Sequence, residues 1–198
     1  MNERRSAAPS ATRRRLLAAG ALAWLGVPPA SHASPGIGPV TPPVAALALP
    51  LRRHDGAAPT LAAQLRGGPT AVQLMFTGCS TVCPIQGALF SALQATLQAE
   101  RNAGVRLLSL SIDPLGDDPA ALSAWLRHFG ATSTWSAAAP AILSLDPMLS
   151  LFTGAATAGD RHTGQVFLFD GGARLVWRTS ELPPAAEVMS ALQRIASA

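Results

Sequence analysis

The run Thr70 to Phe76 contains no charge, leaves the breaker Gly67-Gly68-Pro69, and passes directly into Thr77-Gly78-Cys79-Ser80-Thr81-Val82-Cys83-Pro84. Beyond Pro84 the pattern changes period, and Ile85, Leu89, Leu93 and Leu97 recur every four positions as far as Glu100. An apolar run of strand length suits a strand buried on both faces, whereas the four-residue recurrence lays a stripe along a helix. Pro84 is compatible with the first helical turn, where its missing N–H is not needed. The chain is thus committed to a buried strand that turns straight into a helix, with both of its cysteines in the turn.

The remaining pattern supplies neighbours for that unit. Val105 to Ile112 is a second buried-strand candidate, ended by Asp113-Pro114. Asp118 and Pro119 give a helix start, Leu122, Trp125, Leu126 and Phe129 its buried face, and Gly130 its end. Ala141 to Phe152 predicts a short helix interrupted near Asp146-Pro147. Val166 to Phe169 and Leu175 to Trp177 flank Asp170-Gly171-Gly172, a hairpin signal, and Pro184 to Ile195 closes the chain as a helix. Near the start, Leu47 to Leu51 followed by Arg52-Arg53-His54-Asp55-Gly56 suggests a small hairpin. The order β-loop-α-β-α-α-β-β-α predicts an α/β fold: a mixed central sheet, parallel in its core, with helices on both faces.

At 198 residues there is room for one ordinary domain and something more. The additional piece is a leader. Arg4, Arg5, Arg13, Arg14 and Arg15 precede the apolar run Leu16 to Val27, and Ser31-His32-Ala33 offers small residues for cleavage. This reads as a signal peptide over residues 1–33, and Thr12-Arg13-Arg14-Arg15-Leu16-Leu17 resembles the twin-arginine type. The run is too short for a typical spanning helix of ~20 residues, so cleavage is preferred over retention as an anchor, and membrane contact is expected only if the leader stays. Residues 34–46, rich in Pro and Gly, read as a flexible linker, and 47–198 as the folded domain. The net charge of +4 belongs to the leader. Beyond it the arginines, the chain's only strong bases, balance the acids, and no basic patch interleaved with aromatics argues for nucleic acid. The expected location is the bacterial periplasm or the periplasmic face of the inner membrane. Two neighbouring thiols there tend to close into a disulfide unless reduced or held by metal.

Cys79 and Cys83 meet the start of a helix, whose free N–H groups and partial positive charge favour thiolate over thiol. Thiolate is the form that exchanges disulfides and binds metal. Two soft thiolates suit Cu(I) or Zn(II), and with one imidazole they make a three-coordinate set that satisfies Cu(I) better than structural zinc. His162 is the candidate imidazole. It follows Gly159-Asp160-Arg161 and precedes a strand, whereas His32 leaves with the leader, His54 sits in the early turn, and His128 lies late on an amphipathic helix. Met75 could offer a thioether but suits strand packing better. Asp113 either lies near the site, because parallel strands deliver their C-terminal ends to one edge, or caps its own turn. A plain structural disulfide is the bland alternative for the cysteines. A thiol–disulfide oxidoreductase using Cys79 and Cys83 as its redox pair is the functional one. A thiol peroxidase fits less well, since thioredoxin-type redox sites separate their cysteines by two residues and three intervene here.

At these residues the chain resembles the Sco/SenC family of copper-binding proteins. The matching pieces are Phe76-Thr77-x-Cys79-x-x-x-Cys83-Pro84, Ser111-Ile112-Asp113-Pro114 with Asp118-Pro119 behind it, and His162-Thr163 ahead of the Val166 strand. Asp55-Gly56 and Leu65-Arg66-Gly67 follow the same layout. The resemblance implies a thioredoxin-like fold and a copper ion, Cu(I) or Cu(II), on Cys79, Cys83 and His162. It further implies a metallochaperone-like role in building the dinuclear copper centre of cytochrome c oxidase. The implied partners are the oxidase subunit carrying that centre and other copper chaperones. The chain departs from the commonest family form at Ser80 and Thr81, where Pro-Asp is frequent, and at Arg161, where an aspartate often precedes the histidine. Two thiolates, one neutral imidazole and Cu(I) leave a net negative charge that an arginine offsets. Arg161→Asp is therefore expected to shift the ratio of Cu(I) to Cu(II) affinity toward Cu(II). Equal ratios in competition titrations of the two proteins would contradict this.

Overall fold

The expected buried strand is β3 (Thr70–Met75), and each of its residues is buried. The computed structural model describes residues 36–100, 104–153 and 162–197; the leader expected over 1–33 and Arg161 lie outside the described residues. The other strands are β1 (Gly38–Ala45), β2 (Leu51–Arg53), β4 (Arg106–Ser111), β5 (Trp135–Pro140), β6 (Val166–Phe169) and β7 (Arg174–Arg178). They form one sheet in the order β1-β7-β6-β3-β4-β5-β2. β3 runs parallel to β4, from Thr70 opposite Arg106 to Met75 opposite Ser111, and β4 runs parallel to β5. β6 lies antiparallel against the other side of β3, and β7 antiparallel against β6. Three parallel strands therefore deliver their C-terminal ends to one edge of the molecule, the edge from which the cysteine turn leaves.

The helices are α1 (Leu61–Leu65), α2 (Val82–Ala99), α3 (Pro119–His128), α4 (Leu145–Thr153) and α5 (Ala185–Ala196). Alternating side chains divide the core. Ala71, Met75 and Leu107 join residues of α2, α3 and α5 on one face, while Val72, Leu74, Leu108 and Leu110 join α1 and α4 on the other. A buried polar seam crosses the first face. Gln73 Nε2 donates to Ser109 Oγ at 2.7 Å, and the indole N–H groups of Trp125 and Trp135 donate to the same hydroxyl at 3.2 and 2.9 Å. One serine thereby ties α3 and β5 to the central strands. Asp118 caps α3 as expected, with Oδ1 accepting from Ala121 N at 2.8 Å.

The mixed sheet with helices on both faces matches the sequence expectation, but some elements differ. Residues 34–46, expected as a linker, contain β1, which pairs with β7 at the margin of the sheet. Prolines are tolerated on an edge strand because no outer neighbour requires their N–H, so composition alone pointed the wrong way. β5 was not expected, because Ser136 to Ala139 lack β-branched or aromatic character; burial beside β4 overrides the weak propensity. The early turn doubles back, with Arg53 N donating to Ala57 O at 2.8 Å, yet β2 pairs with β5. The short helix α1 gave no sequence signal. The interruption expected near Asp146-Pro147 lies earlier, where a 3-10 turn at Ile142–Ser144 leads into α4. Pro147 falls in the first turn of α4, where it breaks no hydrogen bond.

Phe90 of α2 is fully buried, its ring centroid 5.7 Å from that of Trp135. Phe90→Ala is expected to cost about 3–5 kcal/mol, read as a lowered thermal midpoint by circular dichroism. A loss below ~1 kcal/mol would contradict this packing.

Candidate thiol and metal site

The root of the cysteine turn is held by a carboxylate. Asp117 is 1 % exposed, and its oxygens accept from Thr77 N at 3.1 and 3.2 Å, from Thr77 Oγ1 at 2.6 Å and from Ser111 Oγ at 2.6 Å. The ends of β3 and β4 are thus joined through one buried anion, satisfied by charge-assisted hydrogen bonds. Of the two readings of Asp113, the structure shows the cap. Its Oδ1 accepts from Gly116 N at 3.0 Å. Asp117 was not singled out in the sequence. Its signal was the doubled acid before Pro119, since capping a helix needs only Asp118.

Beyond Thr77 the chain folds tightly, with Cys79 N donating to Phe76 O at 3.2 Å. Thr81 occupies the N-cap of α2 but makes no side-chain capping bond. Its hydroxyl lies 3.6 Å from Cys79 Sγ instead. Cys79 and Cys83 are both free and both buried. Their ionisation is driven in opposite directions. At Cys79, burial works against the charged form, but backbone N–H groups of Cys83 and Thr81, with the Thr81 and Cys83 side chains, outweigh it and bring the thiol down to about 6. At Cys83, burial pushes the thiol up to about 12; a backbone contact with Phe76 opposes this, while Cys79 and the charge of Asp117 add to it. The pair at neutral pH is a thiolate hydrogen-bonded by a thiol. Such a pair offers a nucleophile with a resolving partner, or one ready soft donor and a second that must lose a proton.

His162 arrives from the opposite side of β3. The β3–β6 ladder ends with Gln73 opposite Val166, four residues after His162. Its ring stacks on Phe76, with centroids 5.2 Å apart and planes at 29°. The segment behind it is anchored: Thr163 Oγ1 donates to Glu181 Oε1 at 2.8 Å, Gly164 N donates to Glu181 Oε2, and Gln86 Nε2 donates to Thr163 O at 3.1 Å. Neither Gln86 nor Glu181 carried a sequence signal, because nothing local relates them to residue 162.

The two sulfurs are therefore brought together, and His162 is brought to the same edge but stacked on Phe76. Among the described residues no three His, Cys, Asp or Glu side chains are gathered closely enough to hold a metal ion. As a donor set, two sulfurs in mutual contact and an imidazole at the same edge have the chemistry that suits a soft ion. Met75 is fully buried in the core, as its strand setting suggested. His54 serves the β5 backbone, its Nδ1 lying 3.2 Å from Ala137 O and 3.3 Å from Ala137 N. His128 lines a groove of about 570 Å³ together with Thr77, Cys79, Pro84, Trp125 and Phe129.

The opposed shifts set a pH signature. Alkylation of the reduced protein is expected at Cys79, with a rate that rises through a midpoint near pH 6, while Cys83 stays unlabelled at neutral pH. Because the folded Cys79 ionises below its unfolded value of 9.0, its contribution to stability is complete above pH 9 and fades as pH falls through 6. Cys83 has the opposite sign, stabilising below pH 9 and losing that contribution between 9 and about 12. Peptide mapping that found equal labelling of the two cysteines at pH 7 would contradict the asymmetry.

Comparison with known proteins places these features in a family. The family model for SCO1/SenC matches residues 50–197. The SCO1 protein homolog of Bacillus subtilis is 37% identical over 65 residues, covering 33% of this chain and 33% of that protein, so the match spans about a third of the curated relative's length. The structure of BsSco, a member of the Sco family of cytochrome c oxidase assembly proteins in which a disulfide switch was identified, superposes with a TM-score of 0.64 at 21% identity. It covers 80% of this chain and 98% of that one. Yeast Sco1 with copper bound gives a TM-score of 0.65 at 16% identity, covering 79% and 95%. The fold is thioredoxin-like, and the chain belongs to the SCO1/SenC family.

Proposed function

We propose that this protein binds a copper ion through Cys79, Cys83 and His162 and passes it on during assembly of the dinuclear copper centre of cytochrome c oxidase. The observation that supports this is the delivery of three soft or borderline donors, two in contact and one stacked on Phe76, to the same edge of the sheet. Cys79 and Cys83 are in contact at the start of α2, and His162 is carried to the same edge by β6. Family membership and the copper-bound yeast Sco1 support the choice of metal. Cys79 supplies a thiolate at neutral pH, Cys83 becomes one when a cation displaces its proton, and His162 completes the set by leaving Phe76. The partner on this reading is the oxidase subunit carrying the copper centre, with other copper chaperones upstream. The compartment is the periplasm or the periplasmic face of the inner membrane, reached through the N-terminal leader. No helix among the described residues is long and apolar enough to cross a membrane.

A second reading is favoured by one specific observation, the opposed ionisation of the two thiols. A thiolate at Cys79 can attack a partner's disulfide, and Cys83 can then resolve the mixed disulfide. The partner leaves as a dithiol and a Cys79–Cys83 disulfide remains. Reduction of oxidase cysteines before copper loading would use the same residues in the same place.

His162 separates the two. Anaerobic Cu(I) titration of the reduced protein is expected to give about one tightly held ion, with release of about one proton at pH 7 because Cys79 is already ionised. His162→Ala is expected to weaken retention by tenfold or more, roughly 1.4 kcal/mol, and to leave disulfide reduction nearly unchanged. Unaltered copper retention in His162→Ala would remove the copper reading and leave the thiol one.

A further inference from the structure

Gln86 is fully buried, one turn along α2 from Cys83. Its Nε2 donates to the carbonyl of Thr163 at 3.1 Å, and its Oε1 has no hydrogen-bond partner among the described residues. A buried amide oxygen left unpaired is a liability that a Met or Leu of similar size would not carry. The bond to Thr163 offsets part of that liability. What the side chain accomplishes is a link: it fastens the residue next to His162 to the helix that carries Cys83.

We propose that Gln86 is a positioning residue for copper capture, setting the reach of the His162 imidazole toward Cys79 and Cys83. The proposal rests on the reading of His162 as a copper ligand. The geometry gives it a defined task. His162 lies stacked on Phe76 and no three donors are gathered among the described residues, so on the copper reading the imidazole has to leave that stack for the site to form. For the imidazole to arrive in a bonding direction, the backbone just behind it has to stay in place during the turn. Glu181 holds Thr163 and Gly164 from the segment ahead of α5, an element that carries neither cysteine. Gln86 alone among these anchors ties His162's neighbour to α2, so the distance from Cys83 to His162 runs through one helical turn, one side chain and one hydrogen bond. Groups that orient a metal ligand without touching the ion typically change affinity by about 10–100-fold.

The test compares Gln86→Met and Gln86→Leu with the unaltered chain and with His162→Ala. Cu(I) is offered in competition with a chromophoric chelator, and the thermal midpoint of the copper-free protein is measured alongside. Hydrogen exchange of residues 162–165 is followed in the copper-free state. A positioning role predicts an unchanged or raised midpoint, faster exchange at 162–165, and Cu(I) affinity lowered by about 10–100-fold. It also predicts no further loss when Gln86→Met is combined with His162→Ala, because the link then has no ligand to position. Full affinity in both Gln86 variants would overturn the proposal. So would a loss that adds fully to that of His162→Ala, or one that accompanies a large fall in the midpoint in both variants, since each marks a general packing role. If His162→Ala itself retains copper, the ligand reading has failed and Gln86 positions nothing; if only the Gln86 variants retain it, the ligand reading stands.

Discussion

One buried carboxylate holds together the part of the molecule where chemistry is possible. Asp117 accepts from Thr77 at the end of β3 and from Ser111 at the end of β4, so two parallel strands that share a register also share an anchor at their exits. The cysteine turn springs from the fixed Thr77, and α2 begins with its first N–H groups directed at Cys79 Sγ. Together with the Cys79 N to Phe76 O bond, this anchor fixes the root of the turn that leads into α2. The same anion also bears on Cys83, where its charge adds to burial in keeping the thiol protonated. Scaffold and electrostatics therefore meet in one side chain.

Much of this was legible in the sequence because it is written in local pattern. β3, α2 and the hairpin at Asp170-Gly171-Gly172 follow from periodicity and turn chemistry, and Asp118 follows from the rules of helix capping. The cysteine turn was legible for the same reason, since it sits at the junction of β3 and α2. What escaped depends on partners distant in the chain. β5 is strand because β4 lies beside it, β1 because β7 needs an outer neighbour, and neither fact is encoded within Ser136 to Ala139 or Pro39 to Pro43. Gln86 and Glu181 escaped more completely. An amide that reaches a backbone carbonyl 77 positions away leaves no trace in either local segment.

The preference of Asp113 for its own turn shows where pattern reading can mislead even in the right neighbourhood. Two acids, Asp113 and Asp117, both follow a parallel strand that ends near the cysteines. Gly116 lies so close to Asp113 that an added Cβ would fall 2.3 Å from Oδ2, which folds that carboxylate into the tight turn. Asp117 is then the acid presented to Thr77. Backbone geometry between the two decided the assignment.

The stacking of His162 on Phe76 bears on how such a site could exchange a metal ion. A rigid, preassembled trio would hold a soft cation well and release it slowly, whereas a carrier has to do both. On the copper reading proposed above one donor, Cys79, is ionised in advance, while Cys83 is held protonated and His162 rests against an aromatic ring, so the last two each add a separate cost to closure. Capture on that reading would require loss of the Cys83 proton and of the Phe76 stack, and release would regain both. The stack is worth about 0.5–1.5 kcal/mol by analogy with aromatic pairs, small beside a soft metal–thiolate interaction but enough to bias the ring when no ion is present. Thr163 and Gly164 are anchored behind His162, and β6 is held in register with β3, so a turn of the ring would not need the strand to move. On that reading the sheet supplies the fixed frame, and exchange turns on one proton and one ring.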